Sequence, residues 1–366
     1  MNRRGCRNPA IRKAWLGRTV STTLHGTAVL LLATATPAVQ AYTYCVQTAA
    51  QLRTALADAG NGGAHNGQAN VVHIRSGEFT AVGVPFFFGT TSGADLTIDG
   101  GWNNTCSLQN SDPTSTVLDG GGMNQVLSIG TNGDLTIAHL TISHGSLAGP
   151  GGGATLALNG FYATAIVIFS GNIVRDNTST AGVGAGVAIA GNGTVIVENS
   201  LFTGNNGTSA AALSINLTLG TAYLTNNTIT DNTDSTYGSS ITWIGSSTAN
   251  GYVSNTISYA NQGPNIKDFH LDGIAKIQFV HSDYATIDGT AAAGSGNFIN
   301  VDPKFVAADD HHLQDVSPLL RAGTPTPMGG LPSSDLDGNS RVTNGQVDLG
   351  AYQNVSFIFA DGFEQP

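Results

Sequence analysis

The sequence predicts an all-β fold, a single-stranded right-handed parallel β-helix, and three observations carry that prediction. First, short β-branched and apolar runs are each closed by glycine, as in "LTIDGGW" (Leu96 to Trp102) and "TVLDGGG" (Thr116 to Gly122), which is the texture of brief strands and tight turns. Second, the chain repeats itself in "LTISHG", "IVRDNT", "LFTGNN", "TITDNT" and "TISYAN"; anchored on Ile142, Val174, Phe202, Ile229 and Ile257, these lie 32, 28, 27 and 28 residues apart, a period that means a solenoid. Third, no segment between Gly60 and the C-terminal tail has a helical period, so each coil of about 28 residues must be built from strands alone. A leucine-rich repeat has a similar period but needs a leucine framework that is absent here.

The elements follow in order. Residues 1–41 read as a Sec-type signal peptide: Arg3, Arg4, Arg7, Arg12, Lys13 and Arg18 precede the apolar run Ala28 to Ala35, and a small-residue cleavage site ends at Ala41. That run is short of the ~20 apolar residues a membrane span needs. Thr48-Ala-Ala-Gln51 is a capping-box pattern, and Leu52, Ala55, Leu56 and Ala59 recur at helical spacing before Gly60, predicting one amphipathic helix over 48–59 that covers the first rung. Strands are expected from Val71 onward, and the β-helix is expected to span 42–300. Stacked rungs lie ~4.8 Å apart, so about eight make a rod of ~40 Å. Asn177, Asn205, Asn232 and Asn261 fall at one rung position and predict an amide ladder. After Gly294 the texture becomes irregular, predicting a loop-rich C-terminal cap over 301–353 and a short tail over 354–366.

Removal of 1–41 takes six of the 14 basic residues and none of the 24 acids, leaving a net charge of −16. An acidic, lysine-poor surface repels phosphate backbones, which excludes nucleic acid as a partner. No transmembrane helix is expected in the mature chain, and a monomer is. Cys6 leaves with the leader; Cys45 and Cys106 remain, and an even pair in an exported chain predicts one disulfide, stabilising by ~4 kcal/mol for a loop of about 60 residues.

Several constellations bear on chemistry. Asp176 and Asp231 precede ladder asparagines two rungs apart, ~9.6 Å on one face, just beyond the separation that paired glycosidase carboxylates use. In "KDFHLD", strand alternation would place Asp268, His270 and Asp272 on one face, able to hold a metal or a uronate, with Lys267 opposite. In "DLDGNSR", Asp335, Asp337 and Asn339 alternate like the opening of a calcium loop, but Ser340 and Gln346 stand where an EF-hand has glycine and glutamate. No cofactor is required by these motifs, and calcium is the one cation they approach. Adjacent His311 and His312 would point to opposite faces of a strand, and His139 and His144, five apart, would do the same. Trp102 and Trp243 are too few to predict a sugar-stacking cleft.

The C-terminal run "NFINVDPKFV…HHLQDVSPLLRAG…DLDGNSRV…GQVDLGAYQ" resembles the C-terminal module of the choice-of-anchor Q group of secreted right-handed β-helix proteins, and "YCVQTAAQLRTAL" with "LTIDGGWNNTC" is similar to its opening. "FSGN", "FTGN", "GGGATL" and "GAGVAI" are like the repeats of polymorphic outer-membrane proteins. The sequence departs from the group's pattern at Gln353, where glutamate is common, and at Arg321, where an acid is. The resemblance implies export, to the cell surface or beyond it, from a gram-negative type of cell. It implies no single reaction, since the fold hosts lyases, hydrolases, adhesins and structural rods. A surface binding or display role, with polysaccharide or another cell as partner, is the leading expectation; a polysaccharide lyase or glycoside hydrolase is the alternative.

Overall fold

The computed structural model describes residues 41–160, 164–236, 239–264, 267–273 and 276–355. The export segment lies outside these residues except for Ala41, as does the tail beyond Val355. Among the described residues the strands form three parallel sheets and one antiparallel hairpin, Phe305–Ala307 with Asp310–Leu313, so the chain is a parallel β-helix. None of the described helices is long and apolar enough to cross a membrane.

Register explains the core. On one leg of the coil Ile98, Ile137, Phe169, Val197, Leu224, Val253 and Phe279 align one above another. On the next leg Phe88, Ile129, Leu156, Ile189, Ile215, Trp243 and Leu271 do the same. Every one of these side chains is buried in a single apolar cluster. No coil could bury its inner side alone; stacking removes that surface from water and pairs the backbone with the rungs on either side.

The helix forms at Ala49–Ala59 with Thr48 as its cap, the Thr48 hydroxyl accepting the Gln51 amide. Gln51 Oε1 accepts the amide of Gln47 rather than that of Thr48, so the reciprocal bond of the capping box slides back by one residue. Leu52, Ala55, Leu56 and Ala59 join the core cluster. The first strand precedes this helix: Tyr42–Val46 pairs in parallel with Asn70–Ile74, one strand earlier than the apolar pattern indicates. Only Val46 of this strand is buried, with Tyr44 partly buried against the core and Tyr42 exposed, which gives too little alternation to read. The disulfide joins Cys45 of that strand to Cys106.

In the third sheet Phe79, Leu118, Ile142, Val174, Phe202 and Ile229 stack. Four of the five sequence anchors are therefore in register. The fifth slips by one residue: Ser258, not Ile257, lies opposite Ile229. Ile257 instead packs against Leu313, Leu319 and Leu349 of the C-terminal module.

The asparagine ladder follows three residues after this column. The side-chain amides of Asn177, Asn205 and Asn232 donate to the carbonyl oxygens of Asn205, Asn232 and Asn261 at 2.9, 2.8 and 3.0 Å. The same oxygens accept the backbone N–H of the preceding rung. A second ladder runs along the neighbouring corner through Asn172, Ser200, Asn227, Thr256, Ser282 and Asn297, each but the last with its backbone N–H donating to the next side chain.

The C-terminal module lies along the outer face of the third sheet. Leu336 and Ala351 pack on Ile173 and Leu201. Asn199, Asn226 and Asn255, all in left-handed conformation, form a docking row at one corner. Asn199 donates to Ser334, Asn226 to the carbonyls of Asp348 and Gly350, and Asn255 to Thr324. Gly350, at φ +86°, sits so close that a Cβ would lie 2.7 Å from Thr228 Oγ1, so the approach of this loop requires glycine.

Candidate functional site

The hairpin strand Asp310–Leu313 separates two clefts, the first within the C-terminal module and the second where the module meets the solenoid. His311 and His312 do point to opposite faces of this strand. His312 faces the first cleft, of about 490 Å³, whose walls also carry Gln314, Asp315, Asp337, Asn339, Tyr352 and Asn354. Its ring nitrogens lie 2.5 Å from Asp310 Oδ1 and 2.6 Å from Asp337 Oδ2, and its ring centroid is 4.0 Å from that of Tyr352. The hydrogen bond with Asp337, and after it that with Asp310, raises the His312 pKa to about 9 against the opposing effect of burial. It is therefore an imidazolium near neutrality, donating from both nitrogens. Burial would raise Asp310, but hydrogen bonds from His312 outweigh it and hold that carboxyl below its usual range. Burial and the surrounding aspartates raise the Tyr352 phenol, leaving it neutral.

The second cleft, of about 370 Å³, opens between the corners of two adjacent rungs and the segment 302–311, and Gln314 lines both clefts. Asp231 projects from the rung in left-handed conformation. His311 Nε2 lies 3.6 Å from Asp231 Oδ2, too long for a hydrogen bond, and this buried nitrogen has no partner. Lys304 pairs with Asp302 at 2.7 Å on the opposite wall.

A buried charge holds the module in place. Arg341 is fully buried and donates to the carbonyls of Gly350 and Ala351 and to Asn199 of the docking row. Desolvation lowers its pKa to about 10, opposed by Asp335, Asp348 and Glu198.

The residues singled out in the sequence are distributed differently from expectation. Asp268 is 2% exposed and turns toward the end of the asparagine ladder. Its oxygens accept from Ser258, Asn261 and the amides of Ala285 and Thr286. His270 pairs with Asp288 at 2.9 Å, Asp272 is exposed, and Lys267 is half-buried. The shared face expected for the triad is thus divided. Phe269 and Leu271 take the inward positions, while hydrogen bonds from Ser258, Asn261 and the amides of Ala285 and Thr286 draw Asp268 into capping.

In the "DLDGNSR" turn Asp335 accepts the amides of Asp337, Asn339 and Gln353, so its carboxylate closes a turn, and Asp337 belongs to His312. Among the described residues, no group of three or more His, Cys, Asp or Glu is arranged to hold a metal ion. Asp176 and Asp231 remain two rungs apart, with Gly204 on the rung between. Asp176 meets Arg175 at 3.4 Å and His144 at 3.9 Å. His139 and His144 pair with Asp99 and Asp119. Trp243 is in the core, and Trp102 stacks on His73.

Tyr352 and the Asp310–His312–Asp337 clamp were not singled out by sequence reasoning. The only signal was the pair of histidines beside an acid in "DDHHLQD", whose third member lies 25 residues further on. No protein-family model matches the chain, and no curated protein matches it.

Proposed function

We propose that this protein is an exported, non-catalytic β-helix that binds glycans in a cleft of its C-terminal module. The observation that carries the reading is the first cleft. Carboxylate and amide side chains (Asp315, Asp337, Gln314, Asn339 and Asn354) surround one aromatic ring, Tyr352. Such groups accept and donate to sugar hydroxyls, while an aromatic ring supports the apolar face of a sugar; pockets of this volume accept small ligands. Export is supported by the basic and apolar leader pattern.

Binding without turnover is supported by where the carboxyls with raised pKa lie. Glycoside hydrolysis needs one carboxylic acid kept protonated beside a carboxylate. Burial raises Glu198, Asp268, Asp283 and Asp348, and none of these lines the first cleft. Asp268 and Asp348 serve there as caps for backbone amides.

The test is to incubate purified 42–366 with a panel of neutral and acidic polysaccharides, scoring retention together with new reducing ends and unsaturated products. Retention without product is expected. Product from any polymer would transfer the protein to the carbohydrate-active enzymes, and no retention on any polymer would remove the glycan reading.

A further inference from the structure

We infer that the cleft at Asp231 and His311 is a second glycan subsite, so that the ligand is a sugar chain long enough to occupy both clefts. The inference rests on the glycan reading above and adds to it the size of the ligand. It starts from His311. Its side chain is 5% exposed, its ring edge packs on Phe305 with centroids 5.2 Å apart, and Nε2 has no hydrogen-bond partner. A buried polar atom left unpaired is costly. Asp231 Oδ2 lies 3.6 Å away, a distance that a direct bond does not reach.

A ligand hydroxyl seated at Asp231 can bridge the two groups, accepting from the imidazole Nε2–H and donating to the carboxylate, which already accepts from the Thr230 hydroxyl. The opposite wall offers Lys304 and Asp302 as donor and acceptor, and Tyr259 lines the same space. Lys304 itself is held at φ +57°, a conformation that lysine adopts at a cost and that accompanies its placement beside Asp302.

The two clefts are not independent in position. They lie on opposite faces of one strand, at the neighbouring residues His311 and His312, and Gln314 borders both. A sugar chain passing over Gln314 places one unit in each. Linking two weak sites in this way raises affinity without any new contact in either.

The experiment uses 42–366 and, as probes, cello- and chito-oligosaccharides from monosaccharide to hexasaccharide, titrated by calorimetry. Affinity is expected to rise at least about tenfold at the length that first reaches both clefts. Asp231→Asn keeps a residue that tolerates the left-handed corner; it should remove this gain while leaving the affinity for short oligomers unchanged. His311→Gln should do the same. Asp315→Asn, in the first cleft, should weaken short and long oligomers alike. Binding that does not depend on length, or a length gain that Asp231→Asn and His311→Gln both leave intact, overturns the second subsite while the first stands. Absence of binding to every oligomer overturns both.

Discussion

Between Asn172 and Asn297 two corner positions of the solenoid are closed by ladders of neutral amides and hydroxyls, each bonded to the same kind of group on the next rung. Between Phe305 and Asn354 the loops are closed by charges, each with its own set of partners. Asn205 is one of many equivalent rungs of a ladder; Arg341 is a single buried cation whose partners Gly350, Ala351 and Asn199 come from two separate stretches of chain. A periodic structure spreads the burden of satisfying its backbone over identical neighbours. An irregular one concentrates it, and low dielectric makes each concentrated charge a point of failure. The second cleft lies where these two kinds of order meet, and the first lies within the module beside it.

That contrast can be broken most severely at Arg341. Arg341→Ala removes a fully buried cation and leaves the carbonyls of Gly350 and Ala351 and the amide oxygen of Asn199 without its donors, and buried groups left unsatisfied cost about 1–3 kcal/mol each. The expected result is release of the module: limited proteolysis should cut within 301–355 while the solenoid core resists. Undiminished protection of those residues would show that the apolar contacts of Leu336 and Leu349 suffice to hold it.

A smaller and more local effect is expected in the ladder. Asn205→Ala leaves the backbone amide of Asn177 without its acceptor and removes the side-chain donor from the carbonyl of Val174 and from Oδ1 of Asn232, which keeps only the backbone N–H of residue 205. Unsatisfied buried groups of this kind cost about 1–3 kcal/mol, felt mainly by the adjoining rungs. Hydrogen exchange should speed up at Asn177 and Asn205 and leave the segment 70–100 unaltered. A uniform loss of protection along the whole rod would mean that the rungs are more tightly coupled than nearest-neighbour stacking implies.

The smallest effect is one of pH. The folded pKa of His312, about 9, lies above the ordinary histidine value of about 6.5. Its contribution to stability is therefore fully present below pH ~6.5 and is lost as pH rises through ~9. With solvent screening of this partly exposed group taken into account, the loss is roughly 1–2 kcal/mol. Unfolding of the module should ease across that window, and His312→Gln should flatten the dependence. An imidazole that titrates near 6.5 by NMR would show that the clamp from Asp310 and Asp337 does not hold in solution.

Much of the fold was legible because its signals are local and repeated. Ile142, Val174, Phe202 and Ile229 recur with the rung, and the four ladder asparagines recur with them. The slip at Ile257 arose because two adjacent residues, Ile257 and Ser258, compete for the inward position. The apolar one turned outward to serve a partner that lies outside the repeat. The second ladder escaped notice since its position is filled by Asn, Ser, Asn, Thr, Ser and Asn, which are interchangeable as hydrogen-bond acceptors but unlike as letters. Alternation placed Asp268 with His270 and Asp272 on one face; burial at the end of the asparagine ladder drew Asp268 away.

By itself the sequence determined the solenoid, its capping helix and the polar column at one corner, because each depends on spacing within a rung or between adjacent rungs, and it determined the Cys45 and Cys106 pairing because these are the two cysteines left once the leader is set aside. Only the tertiary structure decided where the C-terminal module lies and what it creates. The docking of Arg341 beside Asn199, of His311 against Asp231 and of His312 against Asp337 joins residues with no shared period. The free energy that selects those contacts comes from desolvating a particular surface, and that surface exists only once the rungs have stacked.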